Sequence, residues 1–348
     1  MNSTLSQLRG AFTPTQRLHE RSAFLGTIDS TFRGIGQVIF INNPLSGLIF
    51  ALAIFLYRPW AGLLFVAGSY ACTLFAHLLD YPLERIRSGI YTFNGSLVSL
   101  LLANFLTPQW NFGILIYAII AAAISVPLMH AGLVLLTERL GIPTLSLPFS
   151  LVGLTVLLLI PTVAYGYANH ALLSPVARVL ASPNVALRPS HHGDPVPFAE
   201  GVVQAIIRGV SETFLLNSPL VGILVLVGIL LSSTISAAAA LVGSTVGAGL
   251  GLLLGADGYQ IFGGLWGYTG ALAAVCLFGP TAIFKPTWSS GILAIVTAAC
   301  AAFLFGSLGQ YLAPLGVVPL SLPFVLVTMA AVLAAQGSSR FSFNADRG

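Results

Sequence analysis

The chain has 348 residues, of which 56% are hydrophobic and only 7% charged, with a mean hydropathy of +0.93. A soluble domain carries about 25% charged residues. The 14 Lys+Arg and 10 Asp+Glu cannot solvate a globule of this size, which excludes a soluble enzyme. The bases behind the net charge of +4 are scattered, so no nucleic-acid partner is expected and they read as topology signals. No charge occurs from Ser88 to Thr137, Leu140 to Ala177, Thr213 to Ala256 or Pro286 to Ser339. Runs that long need a hydrocarbon solvent, because a spanning helix takes about 20 apolar residues. They are continuously apolar rather than alternating, so the spans are helices and not barrel strands.

In chain order, residues 1–29 are polar and lack the apolar core of a signal peptide; they are expected to form a cytoplasmic tail. Apolar segments follow near 44–57, 60–79, 94–106, 112–137 and 147–168, within a first transmembrane repeat at 30–168. A polar connector at 169–205 carries His191, His192 and Asp194, which read as a solvated loop rather than a metal site. The second repeat, 206–338, has segments near 219–231, 236–254, 270–284, 291–313 and 320–336, and 339–348 is a cytoplasmic C-terminal tail. Segments such as 44–57 and 94–106 are short for a full crossing. Short, interrupted segments at matching places in two halves point to a binding site or pore.

The halves are a repeat. Adding 175 to a residue number pairs Arg33 with Arg208, Pro44 with Pro219, Gly47 with Gly222, Gly89 with Gly264 and Gly95 with Gly270. The same shift superposes Leu145-Ser146-Leu147-Pro148-Phe149 on Leu320-Ser321-Leu322-Pro323-Phe324. Five crossings per copy is an odd number, so the second copy enters from the opposite side and the repeat is inverted. Ten crossings put both termini on one side. With the N-terminus inside, Arg9, Arg17, Arg21, Arg33, Arg85, Arg87, Arg139, Lys285, Arg340 and Arg347 are cytoplasmic, against Arg58, Arg178, Arg188 and Arg208 outside.

No G-x-x-x-x-G-K-[ST] phosphate loop, acid-rich cluster or Ser/His/Asp spacing occurs. No catalytic residue, metal ligand or cofactor is therefore expected. Cys72, Cys276 and Cys300 read as small apolar fillers, and His77 and His130 as buried neutral side chains satisfied by carbonyls. Trp60, Trp110, Trp266 and Trp288 read as interface anchors. Intramembrane carboxylates, which coupled carriers normally need, are almost absent, favouring passive conduction of a neutral solute. The stretches Arg33–Pro44 and Arg208–Pro219 are each long enough for half a membrane, and fit short re-entrant helices. Gln37 and Glu212 occupy equivalent positions in them, one at each mouth of a pore, or else both in the headgroup region. Phe93 and Leu97, like Tyr268 and Leu272, share a helical face, a spacing that by itself fits core packing.

The Leu-Ser-Leu-Pro-Phe repeats, the Phe93-Asn94-Gly95-x-Leu97-Val98 stretch and Gln37-Val38 before Asn43-Pro44 resemble the urea transporter (urea channel) family, bacterial type. The likeness covers roughly residues 30–340. The family's L-P-x-x-T-x-P-F hallmark stands here as Ile142-Pro143-Thr144-Leu145-Ser146-Leu147-Pro148-Phe149, with Ser146 replacing Thr. In the second copy Val317-Val318 replace Leu-Pro, and Ser321 again replaces Thr. The resemblance implies an all-α integral membrane protein of two inverted repeats, each with five transmembrane helices and one re-entrant half-helix. It implies a pore through each protomer of a homotrimer in the lipid bilayer of the inner (plasma) membrane. It also implies one slot formed by Gln37, Phe40, Phe93 and Leu97, an opposite slot including Glu212, Tyr268 and Leu272, and a middle lined by Leu145, Ser146, Leu320 and Ser321.

Urea is planar and neutral, with four N–H donors around one carbonyl. Stripping an amide of water without replacement costs roughly 2–7 kcal/mol, so acceptors along the path must take the water's place. The reading is passive transport of urea down its gradient. The alternatives are a channel mainly for ammonia, water or short amides, and an ion-coupled carrier of a planar solute such as a nucleobase, for which Glu212 is the available coupling carboxylate.

Overall fold

The computed structural model describes residue 15 and residues 18–106, 112–166 and 198–344, with side chains of 160–166 excepted. Trp110, His191, His192, Asp194, Arg9, Arg17, Arg178, Arg188 and Arg347 lie outside the described residues. The described part is helical, with isolated β-bridge residues at Leu106, Phe278, Phe284 and Phe343. Among the described residues, six α-helices of ten or more residues come from each half: α1 Ala23–Gly36, α2 Pro44–Tyr57, α3 Pro59–Leu78, α4 Phe93–Phe105, α5 Phe112–Gly132 and α6 Leu147–Gly166, then α7 Phe198–Glu212, α8 Pro219–Leu230, α9 Thr234–Leu253, α10 Tyr268–Leu277, α11 Trp288–Leu312 and α12 Leu322–Ala335.

The offset of 175 holds in the backbone. Helices α7, α8, α9, α10 and α12 start 175 residues after α1, α2, α3, α4 and α6. Left-handed residues recur at the same shift: Phe40 with Leu215, Asp80 with Gly255, Gly89 with Gly264, Gly141 with Gly316, and Leu145 with Leu320. At Gly89 and Gly264 φ is +78° and +89°, and an added Cβ would stand 2.2 Å from the Gly34 nitrogen and 2.4 Å from the Arg208 carbonyl carbon. Glycine alone meets both demands.

Local chemistry sets the boundaries. The Asn43 side chain accepts from the Leu45 N–H with Pro44 in the first turn, and Ser218 with Pro219 repeats the device for α8. Ser233 caps α9, and Thr287 with Ser290 forms a reciprocal cap on α11. Such caps satisfy N–H groups that a helix start leaves open.

Lengths sort the helices into two classes. By length and apolar character, α3, α5 with its π-helical continuation to Arg139, α9 and α11 are each long and apolar enough to cross a membrane, and the α1–α2 pair, bent by 77°, would be a fifth if it counts as one span. Helices α4 and α10, at 13 and 10 residues, reach only about 20 and 15 Å at 1.5 Å per residue, against a hydrocarbon core of about 30 Å. Among the described residues there are therefore not ten full-length spans; the short helices end inside the protein. The faces agree with lipid outside. On α5, Ile116, Ile120 and Ile124 are exposed while Ala118, Ala122 and Ser125 are buried. Small interior residues let helices approach closely in the absence of a hydrophobic drive between them. The chain is a multi-pass membrane protein.

Several sequence expectations change. The helix expected within 33–44 is Ala23–Gly36 instead, because residues preceding proline avoid the α region and Phe40 turns left-handed at φ 59°. The divisions at 29/30 and 205/206 consequently fall inside α1 and α7. The segment placed at 270–284 ends its helix at Leu277. Trp266 is buried against Phe305 rather than anchored at an interface, whereas Trp288 is 91% exposed. His77 is exposed. His130 stacks on Tyr81 at 4.0 Å and hydrogen-bonds the Tyr91 hydroxyl rather than a carbonyl.

Candidate functional site

Two close crossings bring the halves of the site together. An added Cβ at Gly47 would lie 1.8 Å from the Phe32 carbonyl oxygen, and one at Gly222 would lie 2.2 Å from that of Ile207. These glycines let α2 and α8 press against α1 and α7, the helices that carry the mouth residues. Helices α2 and α8 then meet each other: the Ser46 hydroxyl, near the start of α2, donates to the Gly228 carbonyl, near the end of α8, at 2.7 Å.

Between the halves lies a narrow cavity of about 10 Å³, room for about one water-sized sphere. Its walls come in equivalent pairs from the two repeats: Val38 and Thr213, Phe40 and Leu215, Phe93 and Tyr268, Leu97 and Leu272, Ser146 and Ser321, Phe149 and Phe324. Glu212 is the remaining wall residue. A cavity lined this way straddles the axis that relates the repeats. At its centre the equivalent residues touch, with the Ser146 hydroxyl donating to that of Ser321 at 2.7 Å.

Aromatic faces flank the serines, each set drawing on both halves. Phe40, held left-handed, faces Phe324 with ring centroids 5.9 Å apart. On the other side Leu215 takes the place of Phe40, and Phe149 that of Phe324. The Tyr268 hydroxyl donates to the Leu320 carbonyl, and its ring meets Phe305 edge-on at 5.5 Å. Phe93, the equivalent of Tyr268, has no hydroxyl to offer Leu145. Asn94 anchors the adjacent turn, accepting from the Phe149 N–H at 2.9 Å.

Three of the expected residues stand outside the cavity wall. Gln37 donates to the Ser88 carbonyl at 3.3 Å. Leu145 and Leu320 are left-handed, at φ 52° and 51°, so their side chains turn away from the serines they precede. Leu145 joins the core that includes Trp266 and Phe324, and Leu320 joins the first-repeat core beside Gly153. Each leucine is thus a peg in the opposite repeat. A left-handed non-glycine residue costs of order 1–3 kcal/mol, and four of them, Phe40, Leu145, Leu215 and Leu320, surround the site. Gln37, Leu145 and Leu320 do not line this cavity, while Phe40, Phe93, Leu97, Ser146, Glu212, Tyr268, Leu272 and Ser321 do. The reading missed Val38, Phe149, Thr213 and Phe324 as wall residues. Helical spacing would have found Phe149 and Phe324, three residues after the serines and so on the same face.

The electrostatics of the two ends differ although the cations match. Arg33 is buried and bonds Asp29, one turn earlier, through Nε at 2.6 Å; His19 meets the same carboxylate oxygen at 2.9 Å, and Asn42 accepts from the guanidinium at 3.0 Å. In the second half Gln204 stands at the place of Asp29, and Glu212 at the place of Gln37. The carboxylate has moved from one turn before the arginine to one turn after it. An acid lies one turn from the matched arginine in each repeat, and it lines the cavity in the second only. Glu212 is buried, and among the described residues its side chain makes no hydrogen bond or ion pair. Two oxygens with unfilled lone pairs are therefore turned to the cavity. Among the described residues no cluster of His, Cys, Asp and Glu could hold a metal ion.

A family model described as Urea transporter matches residues 28–336 of the chain. The chain is similar to urea transporter 1 of Ovis aries, 29% identical over 320 residues that make up 91% of this chain and 79% of the relative. It is similar also to urea transporter 1 of Rattus norvegicus, 28% identical with the same coverage of each chain.

Proposed function

The chain belongs to the urea transporter family, and we propose that the cavity between its repeats is the path along which it conducts urea. It transports urea passively and is not an enzyme. The observation that carries the site assignment is the pairing of the walls: a passage on the repeat axis with equivalent aromatics at either side and two serines in the middle. An ion-coupled carrier built on Glu212 draws no support from the comparisons.

In this reading the solute passes edge-on between aromatic faces, where each stacked contact contributes about 0.5–1.5 kcal/mol. Its N–H groups exchange water for the Glu212 oxygens and then for a serine oxygen at the constriction. No single site may bind tightly if throughput is to be high, and the neutral first mouth beside Phe40 suits release. The apolar walls of Phe93, Leu97, Leu272 and Phe149 give a hydrated ion nothing to replace its shell. The Ser146–Ser321 bond closes the passage and opens when the solute takes its place.

In the same reading the repeats are inverted, supported by the crossing of α2 over α8 start to end. Protomers form a homotrimer in the plasma membrane with both termini cytoplasmic. The orientation is supported by Arg85, Arg87, Arg139, Lys285 and Arg340 on one side, against Arg58 and Arg208 on the other.

The experiment is urea flux into proteoliposomes carrying Ser146→Leu. A folded variant with flux reduced to that of empty vesicles is expected, because the larger side chain fills the gap that the 2.7 Å contact leaves. Wild-type flux through that variant would place the path elsewhere.

A further inference from the structure

Behind the two central serines stands a third hydroxyl that breaks the repeat symmetry. Ser150 lies one turn after Ser146 on α6 and is fully buried, and its equivalent in the second half is Val325. Its Oγ is 3.2 Å from the Ser146 carbonyl oxygen and 3.0 Å from the Ser321 hydroxyl. With the 2.7 Å bond between Ser146 and Ser321, three hydroxyls share three bonds.

A hydroxyl has one proton to give, which fixes the direction of every bond. A carbonyl only accepts, so Ser150 donates to that of Ser146. Having spent its proton there, Ser150 must accept from Ser321. Ser321 has then spent its own, and Ser146 must donate to Ser321. The chain runs one way, from Ser146 to Ser321 to Ser150 to the Ser146 carbonyl.

We infer that Ser150 is a positioning residue that polarises the central constriction, making Ser146 its donor and Ser321 its acceptor toward an amide solute. When the solute parts Ser146 from Ser321, the Ser321 proton stays on Ser150, so Ser321 offers lone pairs alone. The Ser146 proton, which had bonded Ser321, turns to the solute. A planar amide then crosses with its carbonyl oxygen on Ser146 and an N–H edge on Ser321. With a valine at position 150, as the second repeat has at 325, either serine could donate and the orientation would be lost. The inference rests on the conduction path proposed above.

The test compares urea and thiourea permeabilities in proteoliposomes of wild type, Ser150→Ala, Ser150→Thr and Ser146→Leu, with water permeability measured alongside. Thiourea keeps the N–H donors but presents a sulfur, a weak acceptor, to Ser146. Ser150→Ala is expected to lower urea permeability about 3- to 10-fold, the scale of one neutral hydrogen bond, and to lower the urea-to-thiourea ratio with it. Ser150→Thr, which restores the hydroxyl, is expected to recover both. Equal losses in Ala and Thr, or a fall in water permeability of the same size, would reduce Ser150 to a packing role and overturn the inference. A folded Ser150→Ala with wild-type permeability and ratio would overturn it as well, provided Ser146→Leu blocks. Conduction by Ser146→Leu would instead sink the path itself. If Ser150→Ala does not fold, Ser150→Cys keeps the volume with a weaker donor, and its ratio must fall between those of wild type and thiourea-indifferent conduction for the inference to stand.

Discussion

Replacing Glu212 tests the charge asymmetry of the two mouths most sharply. The residue is buried, lines the cavity, and among the described residues leaves its oxygens free of partners. A hydrogen bond to a charged group contributes about 1.5–3 kcal/mol, and a neutral one about 0.5–1.5 kcal/mol. Glu212→Ala removes the acceptor outright, and urea flux should fall about 10- to 150-fold, the rate equivalent of the charged range. Glu212→Gln keeps a carbonyl acceptor and reproduces the group that the first repeat carries at Gln37. The difference between the two ranges is about 1–1.5 kcal/mol, so a loss of roughly 5- to 12-fold is expected. The order is therefore wild type, then Gln, then Ala. Initial rates by stopped-flow light scattering, normalised to protein that elutes as one symmetric species in detergent, give the comparison. Equal flux through folded wild type and Glu212→Ala would remove the carboxylate from the path. Equal losses in Gln and Ala would show that its charge, and not its acceptor oxygens, is what matters.

Two further substitutions probe what holds the site. Gly47→Ala drives a methyl to within 1.8 Å of the Phe32 carbonyl oxygen, a backbone atom that cannot step aside. Overpacking costs typically 1–3 kcal/mol, and here the α1–α2 crossing must separate, so the thermal midpoint in detergent should drop by several degrees; an unchanged midpoint would refute the close crossing. Asp29→Ala strips the buried Arg33 of its carboxylate partner and His19 of the oxygen it bonds. Breaking one side of a buried pair costs about 3–5 kcal/mol, enough to lower the yield of folded protein sharply, whereas Gln204→Ala at the equivalent place should be nearly silent.

What was legible in the sequence was whatever repeats or punctuates. Pro44, Pro219 and the caps Asn43, Ser218 and Ser233 mark helix starts by chemistry alone, and the starts fall where the apolar runs were drawn. The serines of the two hallmark copies could be paired from the offset, and they touch. The helix that ends just before Gln37 is hidden from a hydropathy reading, because Ala23–Gly36 carries Thr27, Asp29, Ser30, Thr31 and Arg33 and shows no apolar run. Its residues are polar because they bond within the protein, as Thr31 does with Thr73. The hallmark names Leu145 and Leu320 together with their serines, but only the serines line the cavity. Nothing in a leucine announces a left-handed backbone, and that one angle turns the side chain into the other repeat. The exchange of acid and amide about Arg33 and Arg208 was present in the sequence, but it has meaning only once Asp29 is seen bonded and Glu212 is seen bare. The Ser150 hydroxyl was invisible for a related reason, since its effect depends on two distances and a count of protons.

The central claim is passive conduction of urea, and the most direct test is stopped-flow light scattering on proteoliposomes of the wild-type chain under an inward urea gradient, with empty liposomes alongside. Fast re-swelling for urea, slow re-swelling for glycerol, and no response to an imposed pH or sodium gradient is the predicted result. Urea re-swelling no faster than in empty vesicles, in liposomes shown to hold folded protein, or flux that follows the pH or sodium gradient, would contradict it.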